Sequence, residues 1–240
     1  MKMINWTNSR LLLMVVLVLF LFSFTSKRNE NRKLIKSVVV FEGDNALFLK
    51  KEVVNKLLIE SKASASAIQK VSLDLNTLEK ALNSNHSIEQ SEVSVSIDGV
   101  LKAVVIQKTP IVRVLDGNNS FYMDYKGTKM PLSNNFTARV PLVSGVINKK
   151  NNEALMDLFR RIYDDDFLKK NIIAIQIMPN GSLKMFNRNF DYQIDFGTTV
   201  NVERKFQDYK AFFQKAVLDN SLYNYKKIDL RFTKQVVCTK

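Results

Sequence analysis

The sequence predicts an α+β protein with an N-terminal single transmembrane helix. A small β-α-α-β-β domain follows, and then a mixed α/β domain dominated by an antiparallel sheet. Three observations carry this reading. Leu11 to Phe24, LLLMVVLVLFLFSF, is an uncharged apolar run near the start of the chain. Val93, Val95 and Ile97 alternate with polar residues up to Asp98-Gly99, and a second apolar run follows at once, the pattern of a hairpin with one buried face. Pro110 stands between that run and another, Ile111 to Leu115. Proline cannot donate to a central ladder, so one sheet ends at this point and another begins. The expected layout is a tail over 1–10, an anchor over 11–26, a linker over 27–36, a first domain over 37–109 and a second over 110–240.

The apolar core of fourteen residues is shorter than the roughly 20 needed to cross a bilayer. Its uncharged flanks make up the difference, with Trp6 at the interface and Arg10 and Lys27 reaching outward. Leu11, Val16, Phe20 and Phe24 are taken as membrane-facing positions. A cleaved signal peptide is the rival, but Phe24-Thr25-Ser26-Lys27 lacks a small-x-small exit. Orientation is left open by charge. Lys2 and Arg10 precede the anchor, whereas Lys27, Arg28, Arg32, Lys33 and Lys36 follow it, and long downstream domains translocate largely regardless of such flanks.

Val38 to Phe41 reads as the first strand, Glu42 to Asn45 as a loop and Phe48-Leu49 as an apolar plug. Val53, Val54, Leu57 and Leu58 make a helical stripe within Lys50 to Ser61. After a loop over Lys62 to Ala67, Asn76 is expected to cap a helix to about Asn83, with Glu79 at N3. Leu75, Leu78 and Leu82 share one face of it. The hairpin closes the domain, and a two-residue type I′ turn there would need positive φ at both Asp98 and Gly99.

In the second domain, Phe121 to Asp124 and Lys129 to Leu132 flank Gly127 as a hairpin. Val140 to Val146 is a short apolar segment. Asn152 to Lys170 reads as one helix, with Leu155, Leu158, Phe159 and Ile162 inward, and Asp164-Asp165-Asp166 as a solvated helix end. Strands follow over Ile172 to Met178, Leu183 to Asn187 and Tyr192 to Phe196. A helix over Val200 to Leu218 turns Val202, Phe206, Tyr209 and Phe213 inward. One continuous last strand is expected from Lys227 to Cys238.

Composition narrows the chemistry. Apolar residues are 46% of 240, enough for two cores. One cysteine, Cys238, permits no intramolecular disulfide and no cysteine-based metal site. The only histidine, His86, lies in a polar loop, and three consecutive aspartates diverge on a helix, so no cofactor or metal is expected. The nucleophile elbow, P-loop and dinucleotide fingerprints do not occur. The expectation is a protein that is not an enzyme. A net charge of +13 is compatible with anionic lipid, nucleic acid or an acidic partner. No arginine-rich run interleaved with aromatics favours nucleic acid.

The chain resembles the FtsQ/DivIB family of bitopic cell-division proteins. The resemblance rests on Val40-Phe41-Glu42-Gly43-Asp44 into Phe48-Leu49, on Leu78-Glu79-x-x-Leu82 and on Val93-x-Val95-x-Ile97-Asp98-Gly99. It continues through Val105-Ile106-Gln107-Lys108-x-Pro110, Tyr122-x-Asp124-x-x-Gly127-x-x-Met130-Pro131 and Val140-Pro141-Leu142-Val143-x-Gly145. The resemblance implies that the first domain is a POTRA module acting in recruitment, and that the second is the family's β domain. It implies a place at the division septum in the cell inner (cytoplasmic) membrane, with the N-terminus cytoplasmic and the bulk beyond the membrane. It further implies strand addition by a partner of the FtsB/DivIC type, paired with an FtsL type, and contacts with FtsW/FtsI and FtsK types. The partner-facing positions it implies are Ile228, Leu230, Arg231, Phe232, Lys234 and Val236, with the Phe206 helix beside them. Two departures from the proteobacterial pattern stand out. Thr198-Thr199 follows Gly197 where that pattern often has an arginine, and Thr233-Lys234-Gln235 replaces a glycine-containing turn. The alternative is a POTRA-bearing factor for envelope transport or assembly, which would use the same strand addition on exported clients.

Overall fold

The computed structural model describes residues 6–30, 33–43, 48–59, 73–148, 152–232 and 235–240. It divides the chain into two compact units, residues 1–107 and 108–240. The loop expected over Lys62 to Ala67, and Asp44-Asn45 of the earlier loop, fall outside the described residues.

The first unit opens with α1, Trp6–Glu30. Its 25 residues span about 37 Å, enough for a hydrocarbon core of about 30 Å. The stretch Asn8–Arg28 has a mean hydropathy of 2.1 and none of it is buried. Leu11, Val16, Phe20 and Phe24 are all exposed, and Arg10 stacks over Trp6 at 5.2 Å. Strand β1 (Lys36–Glu42), helices α2 (Lys51–Ile59) and α3 (Leu75–Asn83), and strands β2 (Ile88–Val95) and β3 (Val100–Gln107) follow. The sheet order is β1-β3-β2. Strand β1 runs parallel to β3, the two being separated in the chain by both helices and by β2, which is antiparallel to β3. Leu101, Ala103 and Val105 alternate on the helix side of β3, where they pack with Val54 and Leu58 of α2 and Leu82 of α3. The plug is pinned by a buried side chain, because Gln107 Oε1 accepts from the Phe48 and Leu49 amides at 3.0 and 3.1 Å.

Two local expectations are corrected. Asp74, not Asn76, caps α3, its carboxylate accepting from the Asn76 and Thr77 amides. Glu79 instead takes the Val93 amide at 2.7 Å and ties the helix to β2. In the hairpin only Gly99 has positive φ, at 82°. The Gly99 amide donates to Ser96 O at 3.1 Å and the Ser96 amide to Val100 O at 2.9 Å. The connection is a longer turn closed by glycine.

Among the described residues, the second unit holds a nine-stranded mixed sheet. Its strands are β4 (Pro110–Asp116), β5 (Asn119–Asp124), β6 (Lys129–Met130), β7 (Leu142–Ser144), β8 (Ile172–Ile177), β9 (Leu183–Asn187), β10 (Gln193–Gly197), β11 (Lys227–Asp229) and β12 (Val237–Thr239). Their order is β12-β11-β10-β9-β8-β7-β4-β5-β6. Five neighbour pairs are antiparallel and three parallel. Helices α4 (Asn152–Asp164) and α5 (Asp166–Asn171) cross from β7 to β8, and α6 (Val202–Leu218) crosses from β10 to β11. The parallel pairs β7/β8 and β10/β11 are the pairs that these crossovers join.

The helix expected over 152–170 is broken at Asp165. Its carboxylate caps α5 by accepting from the Phe167 and Leu168 amides at 3.1 and 3.0 Å, and Lys210 of α6 pairs with it. The aspartate triplet is thus a joint between helices. Burial raises the Asp165 carboxyl pKa, but the Lys210 ammonium and the two amides outweigh that and leave it lowered. Phe167 meets Phe213 at 5.0 Å and Tyr209 at 5.8 Å, which locks α5 to α6. Beneath them Asn187 Nδ2 donates to the hydroxyls of Tyr192 and Tyr209, at 3.1 and 3.0 Å, so the polar tips are satisfied in the core.

The continuous strand expected from Lys227 to Cys238 is also corrected. Strand β11 ends at Asp229, and the Leu230 amide makes one more bond to Asp195 O, at 3.0 Å. The chain then leaves the ladder and returns as β12, antiparallel to β11, with Ile228 opposite Cys238.

Candidate functional site

The sheet terminates at β12, and among the described residues no strand pairs with its outer edge. Val237 and Thr239 are exposed there and Cys238 is half-buried. Such an edge presents backbone donors and acceptors that an extended chain can complete.

The edge is held in place by a polar cluster on β10 and β11. Their parallel register sets Asp195 beside Asp229, and both are buried. Like charges opposite each other destabilise a sheet unless each is compensated. Compensation is supplied twice. Lys227 Nζ reaches Asp195 at 2.6 Å, and Gln193 Nε2 donates to the same carboxylate at 2.5 Å. Arg231 folds back on Asp229, its Nε donating at 2.9 and 3.1 Å, its Nη2 at 2.5 Å and its backbone amide at 3.0 Å. The Arg231 guanidinium therefore holds the Asp229 carboxyl below the usual carboxylate range, and Asp229 raises the arginine in turn.

Gly197 makes room for that fold-back. Its φ is 74°, and a Cβ there would lie 2.8 Å from Arg231 Cγ. On the helix side, Phe206 packs against Phe196 with ring centroids 5.0 Å apart. Lys205 donates to Thr198 O at 2.8 Å and lies 4.8 Å from the Phe196 ring. Burial lowers its pKa. The Thr198-Thr199 segment is thus backed by a buried cation of α6.

The residues implied by the sequence fall into three groups. Ile228 and Leu230 belong to the core, at 0% and 2% exposure, and Val236 packs against it half-buried. Arg231 and Phe232 are accessible, Phe232 at 48%. Lys234 lies outside the described residues. Sequence reasoning missed Asp195, Lys227 and Asp229 as the cluster that shapes the edge, and it missed Val237 to Thr239 as the edge itself. The break after Leu230 carries no glycine or proline to announce it. His86 is exposed in the turn before β2.

An apolar N-terminal helix long enough to cross a bilayer, ahead of two sheet units, fits a single-pass membrane protein. Over residues 109–239 the chain matches the family described as FtsQ/DivIB, C-terminal related. It belongs to that family, and a role in cell division follows from the membership. The family's proteins act in division without catalysis. No curated protein matches the chain.

Proposed function

We propose that this protein is a non-enzymatic scaffold of the bacterial division machinery that captures a partner by strand addition at β12. The observation that carries the proposal is the outer edge of β12, which no strand pairs among the described residues, with Val237 and Phe232 exposed beside it. The partner chemistry is an extended segment with alternating apolar residues. The FtsB/DivIC type bound to an FtsL type is the assignment that the family resemblance favours, with FtsW/FtsI and FtsK types as further contacts. Backbone bonds supply affinity, and the exposed side chains select the partner. The first unit, with its β1-β3-β2 sheet backed by two helices, is read as a POTRA module that contributes to recruitment at the septum. The reading places α1 across the cytoplasmic membrane, the N-terminus inside and both units outside.

The test is co-purification of the full chain with an FtsB/DivIC-type partner from membranes. Val237→Pro and Cys238→Pro change adjacent backbone groups, and successive groups on an edge strand point alternately outward and inward. At least one of these changes therefore strikes the outer edge, and it is expected to abolish capture. Phe232→Asp is expected to weaken capture with the fold intact. Capture undiminished in all three sinks the proposal.

A further inference from the structure

The first unit exposes two isoleucines at one end of its sheet. Ile97, at the tip of the turn between β2 and β3, is 75% exposed, and Ile35, just before β1, is 68% exposed. They line one surface depression with Lys33, Asp98 and Gly99. Isoleucine is a poor turn residue and gains nothing from water, so two of them together at a sheet end call for a covering surface.

The structure fixes where that end lies along the chain. The Ile35 amide donates to Gly99 O at 2.8 Å. A Cβ on Gly99 would stand 2.8 Å from Lys33 O. The segment leaving α1 is therefore clamped against the hairpin tip, with glycine needed for the contact as well as for its φ of 82°. Helix α1 ends at Glu30. Lys33 is three residues on, a reach of at most about 11 Å. The two isoleucines are thus tethered beside the point where the chain leaves the membrane.

Charge around that point is predominantly basic. Lys27, Arg28, Lys33 and Lys36 are exposed, and residues 27–36 hold five basic residues and one acidic. Basic side chains within about a Debye length, about 8–10 Å, of a bilayer are drawn to anionic headgroups. Apolar side chains held at the same level partition into the interface.

We propose that the Ser96–Gly99 turn and the Lys33–Ile35 segment form a foot that rests on the anionic lipid surface. Ile35 and Ile97 enter the interface, and Lys33 and Lys36 meet the headgroups. The foot sets the height and tilt of the first unit above the membrane. It rests on α1 being a membrane span, and it holds for either orientation of the chain.

The test uses the full chain in lipid nanodiscs. Cys238→Ser leaves no cysteine, and Ile97→Cys or Gln90→Cys then takes a polarity-sensitive fluorophore. Gln90 is exposed and lies toward the other end of β2. In discs containing phosphatidylglycerol, the label at 97 is expected to shift to the blue with a several-fold rise in emission, and the label at 90 is not. The response should shrink in phosphatidylcholine alone, at high salt, and in Lys33→Glu/Lys36→Glu. A label at 97 that stays as polar as that at 90 in both lipids overturns the foot. A shift that persists undiminished in phosphatidylcholine discs at high salt also overturns it, because anionic headgroups would then play no part. Failure of the chain to enter discs rejects the span itself, a result distinct from either.

Discussion

Arg231 lies across Gly197, its Cγ 2.8 Å from the place where a Cβ on that glycine would stand. The contact joins the end of β10 to the first residue beyond the β11 ladder, so the path of the chain toward β12 depends on an absent side chain. Gly197→Ala should therefore cost twice. Alanine at φ 74° is strained by about 1–2 kcal/mol, and its methyl pushes the arginine off Asp229. Urea unfolding of the full chain in detergent should show a loss of about 2 kcal/mol. In an Arg231→Ala background the cost should fall toward the backbone strain alone, because neighbouring changes are not additive. Equal costs in the two backgrounds would remove Arg231 from the account.

The same pair makes the edge sensitive to acid. The Arg231 hydrogen bonds depress the Asp229 carboxyl below its ordinary value of 3.8. A depressed carboxyl contributes stability that is present above the unfolded value and lost as pH falls through the folded one. The β11–β12 hairpin should therefore be held at neutral pH and loosen only below about pH 4. Protection of the amides over residues 235–239, measured against the intrinsic exchange rate at each pH, should fall there in the parent chain. Asp229→Asn should exchange faster already at pH 7 and show less further change. A parent chain whose protection in this segment is first lost near pH 6 would point to another group.

Much of the fold was legible because its signals are local. The strands at Ile172 to Ile177, Leu183 to Asn187 and Gln193 to Gly197 have alternation punctuated by Gly181 and Gly197, and α6 has an apolar stripe ending in turn residues. What escaped was set by partners distant in sequence. Ile228 to Thr233 alternates as one strand would, and only Asp195, some thirty residues earlier, supplies the partner that makes Asp229 the last rung. Arg231 reads as a partner-facing strand residue, and its fold-back is invisible until Gly197 is seen beneath it. Asp165 looks like one of three equivalent acids, because its distinction comes from Lys210 and from the two amides it caps. Asn76 has the sequence of a cap, but Asp74 opens the helix two residues earlier, accepts from the Asn76 and Thr77 amides and carries a full charge.

The joint at Asp165 can be dissected by charge. Asp165→Ala removes both the cap of α5 and the ion pair with Lys210, and caps of this kind are worth about 1 kcal/mol. Asp165→Asn keeps an oxygen for the Phe167 and Leu168 amides and loses the pairing alone. The pair is about one-third exposed, which limits its worth to a fraction of that. Chemical denaturation should therefore rank the parent above Asn and Asn above Ala, with the larger step between the last two. Asn as damaging as Ala would mean that Lys210, rather than the cap, fixes the joint.

Cys238 offers a direct view of β12. Its thiol is half-buried opposite Ile228, and burial pushes its pKa above the ordinary value for a thiol. Thiolate is the reactive form, so both fraction and access are reduced. Alkylation of the folded chain at pH 7.5 should be several-fold slower than in urea. Its rate should report detachment of the strand, because no other cysteine competes. Arg231→Ala, which frees the segment leading to β12, should raise the folded-state rate without reaching the unfolded one. A partner strand added at the outer edge should lower it again. Under the strand-addition proposal these three rates fall in one order: partner-bound, free, then Arg231→Ala. Partner binding that leaves the rate unchanged would place the contact elsewhere on the second unit, and Phe232 would then be the position from which to map it.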